Sequence, residues 1–211
     1  MLFDTYTMNN INKLFYQLIR VAIGTQDALA RTPSAKEWQQ LYEMAKKQSL
    51  VGICFAGVQK LVDSEMEDYC GMNELQYLTW MGMTAKIQQR NEVMNGYTTQ
   101  ALTYFREKGF PNCILKGQAV AKLYGDLAGL RQSGDVDVWL DCSRKELFEL
   151  SRKEFGRVEG YNGFHIHYPL YEDCEIEAHF TPGHFLRLLV IEDFRNSVNI
   201  ISRRLMMALT P

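Results

Sequence analysis

Residues 114–141 read ILKGQAVAKLYGDLAGLRQSGDVDVWLD, and the centre of the stretch is Asp135-Val136-Asp137. Apolar residues flank the two acids, so Asp135 to Leu140 is expected to form a short strand. Side chains alternate along a strand, which sends Asp135 and Asp137 to one face and Val136 and Val138 to the other. Two carboxylates held side by side repel each other. Burial of apolar surface does not place them there, whereas a divalent cation would offset the repulsion. Such a pair is also common on solvated strands, so the surrounding sequence has to decide.

Upstream, Asn112 to Leu115 is an apolar strand, Lys116-Gly117 a turn, and Gln118 to Tyr124 a short helix carrying Ala119, Val120 and Leu123. A loop with Gly125, Gly129 and Gly134 leads back to the acids. Glycine at the start of a helix lets an anion approach the exposed backbone N–H groups, and Lys116 adds positive charge. Arg131, four residues before Asp135, is placed either to contact phosphate or to serve as a structural partner of the acids.

Downstream, Ser143 and Glu146 form a capping box for a helix through about Glu154, with Leu147, Phe148 and Leu150 on its apolar face. Two strands follow. Phe164, Ile166 and Tyr168 alternate with His165 and His167, and Glu175, Glu177 and His179 alternate with Ile176, Ala178 and Phe180. Tyr171-Glu172-Asp173 is a short link, which predicts a hairpin. If the Glu175–Phe180 strand neighbours the Asp135–Leu140 strand, three or four carboxylates converge. Hard oxygen donors at that density suit Mg²⁺ or Mn²⁺. The chain's four histidines, His165, His167, His179 and His184, offer a rival chemistry. His165, His167 and His179 with Glu177 would make a zinc site suited to hydrolysis, or simply a polar face beside the acids. Cys113 and Cys142 read as buried small residues.

The region ahead of this stretch is helical. Ile11, Leu14, Phe15, Leu18, Ile19 and Ala22 recur at helical spacing before Gly24, and Ser34 with Glu37 caps a helix bearing Trp38, Leu41 and Ala45. Leu50 to Leu61 reads as a buried helix, and Asn73 to Lys108 as one long helix lined by Leu75, Leu78, Met81, Ala85 and Ile87, then Leu102 and Phe105. The expected organisation is an α-helical region over 1–110, an α/β core over 111–181, and a C-terminal helix or poorly ordered tail over 182–211. The fold class is α+β, with a small mixed sheet flanked by helices.

At 211 residues, 46% hydrophobic and 12% aromatic, the chain can build a core. A net charge of −2 gives no global attraction to nucleic acid. Five scattered cysteines without a Cys-x-x-Cys pair fit reduced thiols. No leader and no membrane-length apolar run is present, so a soluble, cytoplasmic protein is expected.

Leu115-Lys116-Gly117, Leu123-Tyr124, Leu130-Arg131-Gln132-Ser133-Gly134-Asp135-Val136-Asp137 and Glu177-Ala178-His179-Phe180 together resemble the uncharacterised nucleotidyltransferase family of bacteria. That family is related to the DNA polymerase β-type and kanamycin-type minimal nucleotidyltransferases. The resemblance covers most of the chain to about residue 180, and Arg-x-Ser-Gly-Asp-x-Asp is its most specific part. It implies that Asp135, Asp137 and Glu177 bind Mg²⁺ (or Mn²⁺) and are catalytic, and it selects Glu177 over Glu175. It implies that Lys116, Gly117, Arg131, Ser133 and Gly134 bind the nucleotide, with His165, His167, His179 and Tyr124 toward the substrate side. The implied reaction moves a nucleoside monophosphate from an NTP to a hydroxyl acceptor, releasing pyrophosphate. The helical half would then shape the acceptor side. Gln118 follows Gly117 where the wider superfamily has serine or glycine, the loop to the acids is longer, and family members often continue further. These departures favour the alternative of a catalytically inactive nucleotide-binding or antitoxin-type protein. A His/Glu metal hydrolase is the third reading.

Overall fold

A computed structural model describes residues 2–65 and 68–182. The tail beyond 182, with His184, lies outside the described residues. The architecture is α+β, combining helices with a four-stranded mixed sheet. Two compact units form. Of the described residues, one takes those up to Val93 together with Ala121–Ser133, and the other takes Met94–Val120 and those from Gly134 to 182.

The first unit is helical, with α1 (Leu2–Ala22), α2 (Ala35–Lys47), α3 (Val51–Glu65) and the start of α4 (Glu74–Glu107). Ser34 and Glu37 make the capping box: the Ser34 N–H donates to Glu37 Oε2 at 2.9 Å, and the Glu37 N–H donates back to Ser34 Oγ at 3.4 Å. Ile11, Leu14, Phe15 and Leu18 of α1 pack against Cys54, Phe55 and Val58 of α3. The approach of these helices requires Gly57, where an added Cβ would stand 2.6 Å from the Leu18 carbonyl oxygen. Trp80 anchors the unit. Its ring meets Trp38, Tyr42 and Phe55, and its Nε1 donates to the Val51 carbonyl at 2.9 Å.

Ile87 and Phe105 of α4 are buried as expected, but the start of the buried face differs from the expected one. Leu75, Leu78 and Met81 are exposed, whereas Trp80, Thr84, Ile87, Asn91, Met94, Thr98, Ala101 and Phe105 are buried, at steps of four and three residues. Polar members disguised this stripe. Thr84 and Thr98 satisfy their hydroxyls on the carbonyls of Trp80 and Met94, one turn back, and so are buried at little cost. Asn91 donates to the carbonyls of Gly129 and Arg131 at 2.7 and 2.6 Å, tying down the segment before the acids. The part from Gly125, expected as a loop, continues a 3₁₀-helical stretch over Lys122–Leu130 with a break at Gly125 (φ 57°), and the helix expected to Tyr124 is α-helical only to Ala121. Leu123, expected on an apolar face, is 83% exposed.

The second unit contains β1 (Asn112–Ile114), α5 (Gln118–Ala121) as far as Val120, β2 (Val136–Leu140), α6 (Arg144–Phe155), β3 (His165–His167) and β4 (Ile176–His179). The strand order is β1-β2-β4-β3, with β2 and β4 parallel and both outer pairings antiparallel. β3 and β4 pair as the alternation predicts, over shorter spans. One face of the sheet is apolar: Val136, Val138, Leu140, Ile166, Ile176 and Ala178 are buried against Met94, Ala101 and Phe105 of α4 and Leu147 of α6. The opposite face carries the polar residues of β2, β3 and β4.

Candidate active site

Register assembles the site. In the parallel β2–β4 pair, Asp137 lies opposite Glu177 and Trp139 opposite His179. In the β3–β4 pair, His165 lies opposite His179 and His167 opposite Glu177. The Val136 N–H donates to the Glu175 carbonyl at 3.0 Å, which carries the pairing back to Asp135. Oxygens of Asp135, Asp137 and Glu177 therefore come within 4.8 Å of one another. Glu175 turns to His167, with Oε1 2.6 Å from Nδ1, and stands outside this cluster.

Asp137 is the most enclosed of the acids, at 1% side-chain exposure. Its Oδ1 receives the Lys116 ammonium at 2.7 Å and the His179 Nε2 at 3.1 Å. Burial opposes its charge, but hydrogen bonds from His179 and Lys116 outweigh that and hold the carboxyl down at about 2. Glu177 shifts the opposite way. Burial and the neighbouring Asp137 raise its pKa, against the smaller opposing effect of His179. Glu177 Oε2 lies 3.2 Å from both His165 Nδ1 and His179 Nε2. His165 is held neutral more strongly than usual, by burial and then by the neighbouring histidines. His165, Glu177 and His179 form a second group of ligand atoms within 4.8 Å, sharing Glu177 with the first; His167 is not part of it.

One expected result follows from these opposed shifts. Asp137→Asn removes the negative charge that raises Glu177, so the Glu177 pKa falls back toward the ordinary glutamate value. Carbon-13 NMR titration of the glutamate carboxyls in metal-free protein reads this directly. An unmoved Glu177 signal would contradict the pairing.

The turn ahead of the acids is built by the backbone. The Leu115 N–H donates to the Asp137 carbonyl at 3.0 Å, so β1 runs on to the edge of the cluster. Gly117 then adopts φ 56°, in the left-handed region that favours glycine. Gln118, in the position where the wider superfamily carries serine or glycine, is buried and donates to Asn95 Oδ1 at 3.2 Å. Gly134 lies in the same unit as the acids. Arg131, Ser133 and Tyr124 belong to the helical unit, where Arg131 Nη1 donates to Ser133 Oγ at 3.1 Å. Burial pushes the Cys113 thiol up to about 11 and that of Cys142 to about 12, which leaves both poor nucleophiles.

Two features of this site were not read from the sequence. The sequence gives no sign of the Lys116–Asp137 ion pair, because partners 21 positions apart leave no periodic signal. Asn162 is the second. It accepts from the N–H groups of Phe164 and His165 and lies 3.0 Å from the His165 ring, bracing the start of β3.

An α+β fold whose mixed sheet gathers carboxylates beside a lysine-glycine turn is that of a nucleotidyltransferase-like domain. The family model described as uncharacterised nucleotidyltransferase matches residues 34–198, more than half of the chain, and the protein belongs to that family. No curated protein and no solved structure matches it. Among the described residues, no helix is long and apolar enough to cross a membrane.

Proposed function

We propose that this protein is a Mg²⁺-dependent (or Mn²⁺-dependent) nucleotidyltransferase of the polymerase β-like superfamily, with the 111–181 core as its catalytic part. It transfers a nucleoside monophosphate from an NTP to a hydroxyl acceptor in the cytoplasm. The observation that carries the reading is the convergence of Asp135, Asp137 and Glu177 within 4.8 Å.

The donor set fits such a cation. Three carboxylates supply hard oxygen ligands, and Asp137 keeps its charge although buried. An ammonium group already stands against it, so the site favours positive charge. When bound, the cation would offset the repulsion among Asp135, Asp137 and Glu177 and neutralise charge on the triphosphate. The chain's own residues would do the rest. Lys116 and the Gly117 turn bind phosphate, with Gly134 toward the nucleotide. Glu177, whose affinity for a proton is raised, takes the proton from the acceptor hydroxyl. The acceptor oxygen then bonds to the α-phosphorus as the bond to the β-phosphate oxygen breaks, and pyrophosphate leaves. His165 and His179 flank Glu177 and orient its carboxyl. His167 stands on the acceptor side.

Calorimetric titration with ATP, GTP, CTP and UTP in the presence of Mg²⁺ is expected to show metal-dependent binding that Asp135→Ala abolishes. Pyrophosphate release on adding a hydroxyl acceptor marks transfer. Binding without release in every acceptor pool would favour the inactive, nucleotide-sensing alternative. The His165, Glu177 and His179 cluster supports a second reading, a zinc hydrolase, but that reading leaves Asp135 and Asp137 without a role. Stoichiometric zinc in protein purified without added metal, lost in His165→Ala, would replace the first reading.

A further inference from the structure

Lys116 and Asp137 are an unequal pair. The lysine side chain is 59% exposed and the aspartate 1%, yet Nζ and Oδ1 meet at 2.7 Å. An exposed lysine gains little from an ordinary surface ion pair. Here its flexible stem reaches inward to a carboxylate that the sheet has removed from water, and that carboxylate faces a like charge on Glu177. Lys116 therefore supplies the positive charge that the cluster needs while no other cation is there. It does so from a backbone pinned on both sides. The preceding Leu115 N–H is paired with the Asp137 carbonyl, and the Lys116 carbonyl accepts from the Ala119 N–H at 3.1 Å. Movement of the ammonium is thus a rotation of the side chain alone. The Oδ1 atom it occupies is also one of the oxygens close to His179 Nε2, so an incoming cation meets an acid already engaged on that oxygen.

We infer that Lys116 is the built-in counter-cation of the acid cluster, excluding a bare divalent ion from Asp137 and leaving it when a polyphosphate arrives to receive the ammonium. Cation and nucleotide are thereby made to bind together, and metal alone binds weakly. This rests on the metal-site reading proposed above and adds the coupling between its two ligands. The coupling is reciprocal: whatever draws Lys116 toward phosphate strengthens cation binding at Asp135, Asp137 and Glu177.

The test measures Mn²⁺ binding by electron paramagnetic resonance of the free ion in the full chain, with no nucleotide. Lys116→Met is expected to bind Mn²⁺ about ten-fold more tightly than the wild type, and Lys116→Arg to stay near it. Asp135→Ala should abolish the binding in each background. With Mn²⁺ saturating, inorganic tripolyphosphate should bind Lys116→Met about ten-fold more weakly than the wild type. Unchanged or weaker Mn²⁺ binding in Lys116→Met, with binding still dependent on Asp135, overturns the role of Lys116 and leaves the metal site standing. Unchanged tripolyphosphate binding overturns the transfer of the ammonium to phosphate. Mn²⁺ binding that ignores Asp135, or none in any variant, overturns the metal site and this inference together.

Discussion

Asp137→Asn is expected to lower metal-dependent nucleotide transfer on the order of 10³-fold, because one carboxylate of a cation site is worth several kcal/mol in stabilising developing charge. Asp137 is the acid most committed by its surroundings: it is buried, in register with Glu177, and held ionised down to about 2. The substitution keeps shape and removes charge. Its effect on stability is expected to be small, for two opposing reasons. A carboxyl whose pKa is depressed on folding stabilises the protein above the unfolded value, 3.8, and loses that contribution as pH falls through about 2. At neutral pH the variant forfeits it. Glu177, with its pKa raised, opposes folding when both acids are charged, and that repulsion is relieved in the variant. Lys116, already largely exposed, regains water. A melting temperature within about 4–8 °C of the wild type, with pyrophosphate release lost, is the expected pair of results. Full transfer activity in Asp137→Asn would remove Asp137 from the site.

The second large effect concerns stability. Trp80→Ala is expected to destabilise the helical unit by about 3–5 kcal/mol, as for other large-to-small changes of aromatic side chains in cores. The indole is 1% exposed, sits among Trp38, Tyr42 and Phe55, and its Nε1 satisfies the Val51 carbonyl. Truncation opens a cavity bordered by aromatic rings that cannot easily close in, and removes the indole's hydrogen bond to Val51. Leu75→Ala, on the same helix but 75% exposed, is expected to change stability by no more than about 0.5 kcal/mol. Urea denaturation of both variants separates the two faces of α4. Equal losses would mean that the buried face has been misidentified.

Features that depend on neighbours in the chain were legible from the sequence. The Ser34/Glu37 and Ser143/Glu146 capping boxes form as their spacing predicts, since both partners lie within one turn. β3 and β4 alternate as written, with His165 and His167 on one face and Ile166 on the other, because the pleat allows nothing else. The long helix ends where Gly109 and Pro111 require. The buried stripe of α4 was hidden because Thr84, Asn91 and Thr98 are polar by composition and buried by virtue of their hydrogen bonds.

Sequence alone therefore determined the α+β class, the common face of Asp135 and Asp137 and the turn at Lys116-Gly117, all consequences of alternation, capping and glycine's backbone freedom over a few residues. Only the tertiary structure decided that β2 runs parallel to β4 in the register that sets Asp137 against Glu177 and turns Glu175 to His167. It alone placed Lys116 on Asp137 and carried Ala121–Ser133 into the helical unit. The reason is physical: strand register and long-range ion pairs are settled by which apolar faces bury together, here Val136, Val138, Ile176 and Ala178 against α4 and α6, and the acids on the reverse of those strands go where that burial takes them.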